Sequence, residues 1–162
     1  MSFIWLIASF CYYLILTLTN TFEDVYITAL VSSFSEIAAY LLSGIFYERV
    51  GVKLSLILSF AISAFGGILI LAWGLDHQES TLFFIFFLFT KFGVTCAFNI
   101  NFAANSYLFP TLFAATAIGV CNFAARFITS FSFIVSRMAE PAPMYLLTAL
   151  CMLTTISAFF LK

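Results

Sequence analysis

Residues 112–136 read LFAATAIGVCNFAARFITSFSFIVS, and the only charge in the run is Arg126, near its middle. About 20 apolar residues carry a helix across the hydrocarbon core of a bilayer, so this run is long enough to span one. Its arginine then sits where a charge costs roughly +2.5 to +3.5 kcal/mol. The Leu, Ile, Val and Phe residues around it contribute about −0.3 to −0.6 kcal/mol each, some −3 to −7 kcal/mol together, so the helix still inserts. The guanidinium must therefore face protein or water rather than lipid tails.

Outward from this run the pattern repeats. Further apolar stretches occupy approximately residues 3–19, 26–46, 54–74, 82–104 and 142–161. The expected fold class is all-α: a polytopic membrane protein, one six-transmembrane-helix bundle over residues 1–162. Composition agrees, with 64% hydrophobic and 8% charged residues, and 20% aromatic residues that include 23 Phe. Soluble domains run near 25% charged, which excludes a water-soluble globule. The net charge is −1 with scattered basic residues, so the chain has no electrostatic footprint for nucleic acid.

Cys11, Cys96, Cys121 and Cys151 all fall inside apolar runs and share no metal or redox spacing, which reads as small side chains in helix packing. His77 sits in a polar loop, Asp76 to Ser80, without a second His or Cys nearby. The first run starts almost at Met1, with no basic residue before it and no good small-residue cleavage site. It is expected to be the first membrane helix rather than a removable signal.

The connections are short, so successive helices are expected to run antiparallel as neighbours. Arg49, Lys53 and Lys162 lie on one side of the bundle and Arg137 on the other, the latter with Glu23, Asp24, Asp76, Glu79 and Glu140. The positive-inside rule then places both termini in the cytoplasm.

Polar residues recur at helical spacing within the runs. The second holds Thr28, Ser32, Glu36 and Ser43, the fourth Lys91, Thr95 and Asn99, and the fifth Asn122, Arg126, Thr129, Ser130 and Arg137. The first adds Ser9, Tyr13 and Thr17, with Tyr12 beside them. Three charged stripes on separate helices are best accommodated around a shared cavity. Two readings of the charges stay open. Glu36 could form a buried ion pair with Lys91 or with Arg126 that locks the bundle, or Arg126 or Lys91 could face a water-filled cavity and bind an anionic group. The third run carries Ser55, Ser59, Ser63 and Gly67 every four residues. Small residues on one face let backbones approach closely, so this stripe is expected to serve packing.

The stretch Glu36-Ile37-Ala38-Ala39-Tyr40, followed by Tyr47-Glu48-Arg49-Val50-Gly51-Val52-Lys53, resembles the glutamate-containing helix and loop signature of major facilitator transporters. It looks most like the organic cation, organic anion and carnitine branch, whose loop reads Asp-Arg-x-Gly-Arg. Lys91-Phe92-Gly93-Val94 resembles the branch's basic-x-Gly segment, and Leu108-Phe109-Pro110-Thr111 resembles its Glu-Leu-Tyr/Phe-Pro-Thr-x-x-Arg motif. Gly119 to Phe127 is similar to its eleventh helix. The match covers nearly the whole chain and corresponds to helices seven to twelve of a twelve-helix fold.

The resemblance implies substrate-lining roles for Tyr12, Tyr13 and Arg126, the last at a position where anion-transporting members carry Arg and cation-transporting members Asp. With the stripes, the expected substrate-binding set is Arg126, Lys91, Glu36, Tyr12, Tyr13, Asn122 and Asn99. The expected gating set is Glu48, Arg49, Gly51, Pro110 and Thr111. The chain departs from the motifs at Ala38 (Pro in the family), Glu48 (Asp), Val52 (Arg), Tyr107 (Glu) and Ala114 (Arg).

The expected function is transport of a small organic ion, an anion or zwitterion before a cation, by alternating access with a second six-helix half. The alternative is a non-transporting structural subunit or degenerate half-transporter in a larger complex. No nucleophile, metal or phosphate-binding pattern stands in the sequence, so neither an enzyme nor a cofactor is expected. Expected partners are membrane lipid, the organic ion, and a second half or larger membrane complex. The expected location is the plasma membrane, with an organelle membrane as the alternative.

Overall fold

A computed structural model describes residues 2–19, 25–74, 81–108, 111–138 and 142–159. They form six helices: α1 (Ser2–Thr19), α2 (Val25–Val50), α3 (Val52–Leu69), α4 (Thr81–Leu108), α5 (Thr111–Ser136) and α6 (Ala142–Phe159). A π-helical turn, Ile70–Gly74, continues α3. Five of the six are long and apolar enough to cross a bilayer, and α1 is a shorter apolar helix. The chain is an all-α membrane bundle.

Two helices outrun the expected spans. The second continues through Glu48 and Arg49 to Val50, and the fourth reaches Leu108. The expected loop from Glu48 to Lys53 contracts to the single residue Gly51, whose φ of 84° reverses the chain in one step. A side chain is strained at that φ and glycine is not. The Ser55 hydroxyl donates to the Phe46 carbonyl oxygen at 2.8 Å and the Ser55 amide to the Gly51 carbonyl oxygen at 3.1 Å, closing the turn across both helix ends.

α4 is the hub, packed against α3, α2 and α1, while α3 also lies on α6 and α1 on α5. Two apolar clusters fill the space between α1, α3, α4 and α6. One is built around Leu14, Ile15, Ile70, Phe87 and Leu147, the other around Leu56, Phe60, Ala97, Ile100 and Ala158. The serine stripe of α3 is buried, as packing requires. At Gly93 a Cβ would fall 2.6 Å from the Ser63 nitrogen and 2.7 Å from the Ser59 oxygen, so α4 meets the α3 backbone directly. At Gly67 it would meet the Thr148 hydroxyl of α6 at 2.5 Å.

α2 and α5 lie outside this slab. Of their membrane-length windows 17% is buried, against 50% for α3 and 56% for α4. The buried stripe of α2 is its polar one, Thr28, Ser32 and Ser43 with Ala39 among them, while Leu30, Phe34, Ile37, Leu41 and Ile45 point outward. Lipid tails are as apolar as leucine, so an outward apolar face loses nothing and the polar side chains find partners inside.

Candidate functional site

Between α2 and α4 the polar stripes meet as a ladder. Lys91, 3% exposed, places its Nζ 2.9 Å from Oε1 of Glu36. The same ammonium donates to the Ser32 hydroxyl one turn earlier on α2. Further along, the Cys96 thiol donates to the Ala39 carbonyl oxygen at 3.4 Å. Asn99 then donates through Nδ2 to the Ser43 hydroxyl, which in turn donates to the Tyr40 carbonyl oxygen at 2.8 Å. Lys91, Cys96 and Asn99 thus pair in order with Ser32 and Glu36, Ala39 and Ser43. Of the two sequence readings of the acid, the Lys91 pair is the one that forms. Lys91 and Asn99 are engaged in this seam. Glu36, 22% exposed, keeps one edge open.

A second group lies beside the first. Tyr12 of α1 stacks on Phe98 of α4, centroids 4.8 Å apart and planes within 8°, and meets Tyr13 edge-on at 5.5 Å. Phe98 continues to Phe102 at 5.0 Å and Phe102 to Trp5 at 4.4 Å. Tyr12 neighbours Glu36 and Tyr40 of α2. On its other side, the guanidinium carbon of Arg126 stands 5.1 Å from the Tyr13 ring centroid. That geometry is a cation–π contact, about 0.5–1 kcal/mol at an exposed site and about 2 when desolvated. Arg126 is exposed, and among the described residues it has no carboxylate within ion-pair distance.

The face therefore runs Glu36, Tyr12, Tyr13, Arg126 across α2, α1 and α5, with Phe98 of α4 beneath. Asn122 is half-buried one turn before Arg126 on the same stripe of α5. The Thr129 and Ser130 hydroxyls both donate to the Arg126 carbonyl oxygen at 3.0 Å, so they serve their own helix. The arrangement offers one cation without a carboxylate partner among the described residues, a carboxylate paired with Lys91 and open at one edge, and an aromatic floor. It can hold an ion without covalent chemistry.

Glu48 and Arg49 are exposed at the end of α2, beside Gly51 and apart from this face. Pro110 lies outside the described residues, and Thr111 begins α5. Sequence reasoning gave no site role to Phe98, or to Tyr40 beyond its place in the Glu36 stretch. Phe98 carried no signal among 23 phenylalanines. Tyr40 stands four residues after Glu36, and that spacing could have found it.

No family model matches the chain. It is 30% identical over 128 residues to B0252.3 of Caenorhabditis elegans, a protein named as a transporter, covering 78% of this chain and 25% of that protein. It is 26% identical over 124 residues to solute carrier family 22 member 4 of Mus musculus, covering 76% of this chain and 22% of that protein. The chain spans about a quarter of the length of these relatives. It is related in sequence to transporters, in keeping with a multi-pass membrane bundle.

Proposed function

We propose that this chain forms one six-helix wall of a major-facilitator-type transporter for small organic anions or zwitterions, equivalent to helices seven to twelve. The observation that carries this reading is Arg126, an exposed guanidinium at mid-span of α5, seated over Tyr13 with no carboxylate partner among the described residues. A fixed charge in a low-dielectric setting attracts an opposite charge strongly, and Tyr12, Tyr13 and Phe98 supply apolar surface for the organic part. The open edge of Glu36 beside Tyr12, its charge already shared with Lys91, is the one place on this face for the positive end of a zwitterion. A second six-helix half completes the site against the exposed faces of α2 and α5, and rocking of the two walls exposes it to each side in turn. Both termini lie in the cytoplasm, and the plasma membrane is the location.

The decisive measurement is uptake of radiolabelled benzoate into vesicles carrying the chain, alone or with a complementary half. A hydrogen bond to a charged group contributes about 1.5–3 kcal/mol, so Arg126→Ala should lower uptake about 10- to 100-fold. Unchanged uptake in that variant would remove Arg126 from the mechanism. The closed Lys91–Glu36 pair favours a second reading, a packing subunit that transports nothing. Stable copurification with a large membrane complex and no uptake would select it.

A further inference from the structure

The stripe that carries Arg126 does not end there. Phe133 is seven residues further along α5, within about 20° of the same face and about 10 Å up the axis. The guanidinium carbon of Arg137 stands 4.4 Å from the Phe133 ring centroid. A second guanidinium is thereby held on the Arg126 face, roughly 10–15 Å from the first along the helix.

The direction of this side chain matters. Arg137 follows the last residue of α5, where an arginine anchoring a membrane helix extends its head toward water. Here the head folds back over a ring four residues earlier, toward the span. Helical side chains lean toward the N-terminus, so Phe133 itself directs the cation further inward. Arg137 is exposed, and among the described residues no carboxylate lies within ion-pair distance of it. Glu140, the nearest carboxylate in sequence, lies outside the described residues.

We propose that Arg137, seated on Phe133, is a second anion site, an antechamber at the α5–α6 end of the bundle from which an organic anion steps along the α5 stripe to Arg126. It rests on the anion reading of the Arg126 face and adds a route to it. The screening length is about 8 Å at physiological ionic strength and about 30 Å at 0.01 M, so the two guanidinium fields merge in dilute salt and separate in concentrated salt. An antechamber of this kind raises the rate of arrival and leaves the lifetime of the final complex to Arg126.

Stopped-flow binding of dansylglycine, a fluorescent aromatic carboxylate, to the full chain in nanodiscs separates these contributions. With Arg137→Gln, association should slow about threefold at 10 mM salt, the difference closing by 500 mM, with dissociation unchanged. Arg137→Lys should keep most of the wild-type rate. Phe133→Leu should lose part of it by freeing the cation. Arg126→Gln should instead speed dissociation about tenfold or more. Equal association rates for wild type and Arg137→Gln at low salt, with wild-type binding intact, would overturn the antechamber and leave the Arg126 site standing. No saturable binding by wild type would sink both. The same slowing in a Glu140→Gln background supports the proposal. Slowing in that background alone would mean Glu140 neutralises Arg137 in the native chain, which overturns it.

Discussion

One helix, α4, is held on two sides by unlike means. Against α3 it presents Gly93 directly to the Ser59 and Ser63 backbone, flanked by apolar side chains such as Leu56, Phe60, Ala97 and Ile100. Against α2 it presents Lys91, Cys96 and Asn99, each bonded to a different rung of α2. The first seam gains from close contact of many atoms at about 0.1–0.2 kcal/mol per pair, and any separation forfeits it. The second rests on a few polar contacts, an ion pair and an amide–hydroxyl bond with a weak thiol donor between them, and water can replace them if the seam opens. The α3 side is the more closely packed of the two. The α2 side is where this bundle could part, and it borders the Arg126 face.

The largest effect should come from breaking the polar seam on one side only. Glu36→Ala leaves Lys91 buried without its counter-ion and should lower stability by about 3–5 kcal/mol, read as the midpoint of unfolding in detergent. Removing both charges as Glu36→Leu with Lys91→Met should return it to within about 1 kcal/mol of wild type. If the double variant were as unstable as the single, the pair would contribute more than mutual neutralisation.

Next in size is the close seam. Gly93→Ala drives a Cβ into the α3 backbone and should cost about 2 kcal/mol by the same readout, with α3 and α4 moving apart. A neutral outcome would mean the two backbones have room to spare. Third, Ser43→Ala removes the acceptor for Asn99 and should cost about 1 kcal/mol, visible as faster amide exchange at the end of α2. Smallest of all should be Arg126→Gln. Its cation–π contact with Tyr13 is exposed, so heat stability should shift by less than about 1 kcal/mol while dansylglycine binding suffers. A large stability loss would recast Arg126 as a structural residue.

The six helices were legible because a bilayer-length apolar run has few other uses, and the serine stripe of α3 read correctly as packing. The turn at Gly51 was legible in kind and misjudged in extent. Glu48, Arg49 and Val50 are polar or terminal enough to suggest a loop, yet a positive-φ glycine lets the helix run on to the residue before it. The stripes on α2, α4 and α5 were visible as four-residue spacings. Their partners were not, because spacing along one helix does not say which helix lies opposite. Glu36 could have met either cation, and it meets Lys91 because α2 lies along α4. Arg126 goes to Tyr13 because α5 lies along α1.

The one-residue junction at Gly51 constrains how α2 can move. Its lower end is clamped to α3 through Ser55, so the helix behaves as a lever with a fixed fulcrum. Twenty-six residues make an arm about 39 Å long. A tilt of about 5° would leave Glu48 nearly stationary and carry the opposite tip, near Thr28, by some 3 Å. Ser32 and Glu36 would then swing away from Lys91 before Ser43 left Asn99, so the rungs would release in sequence, like a zip drawn from the far end.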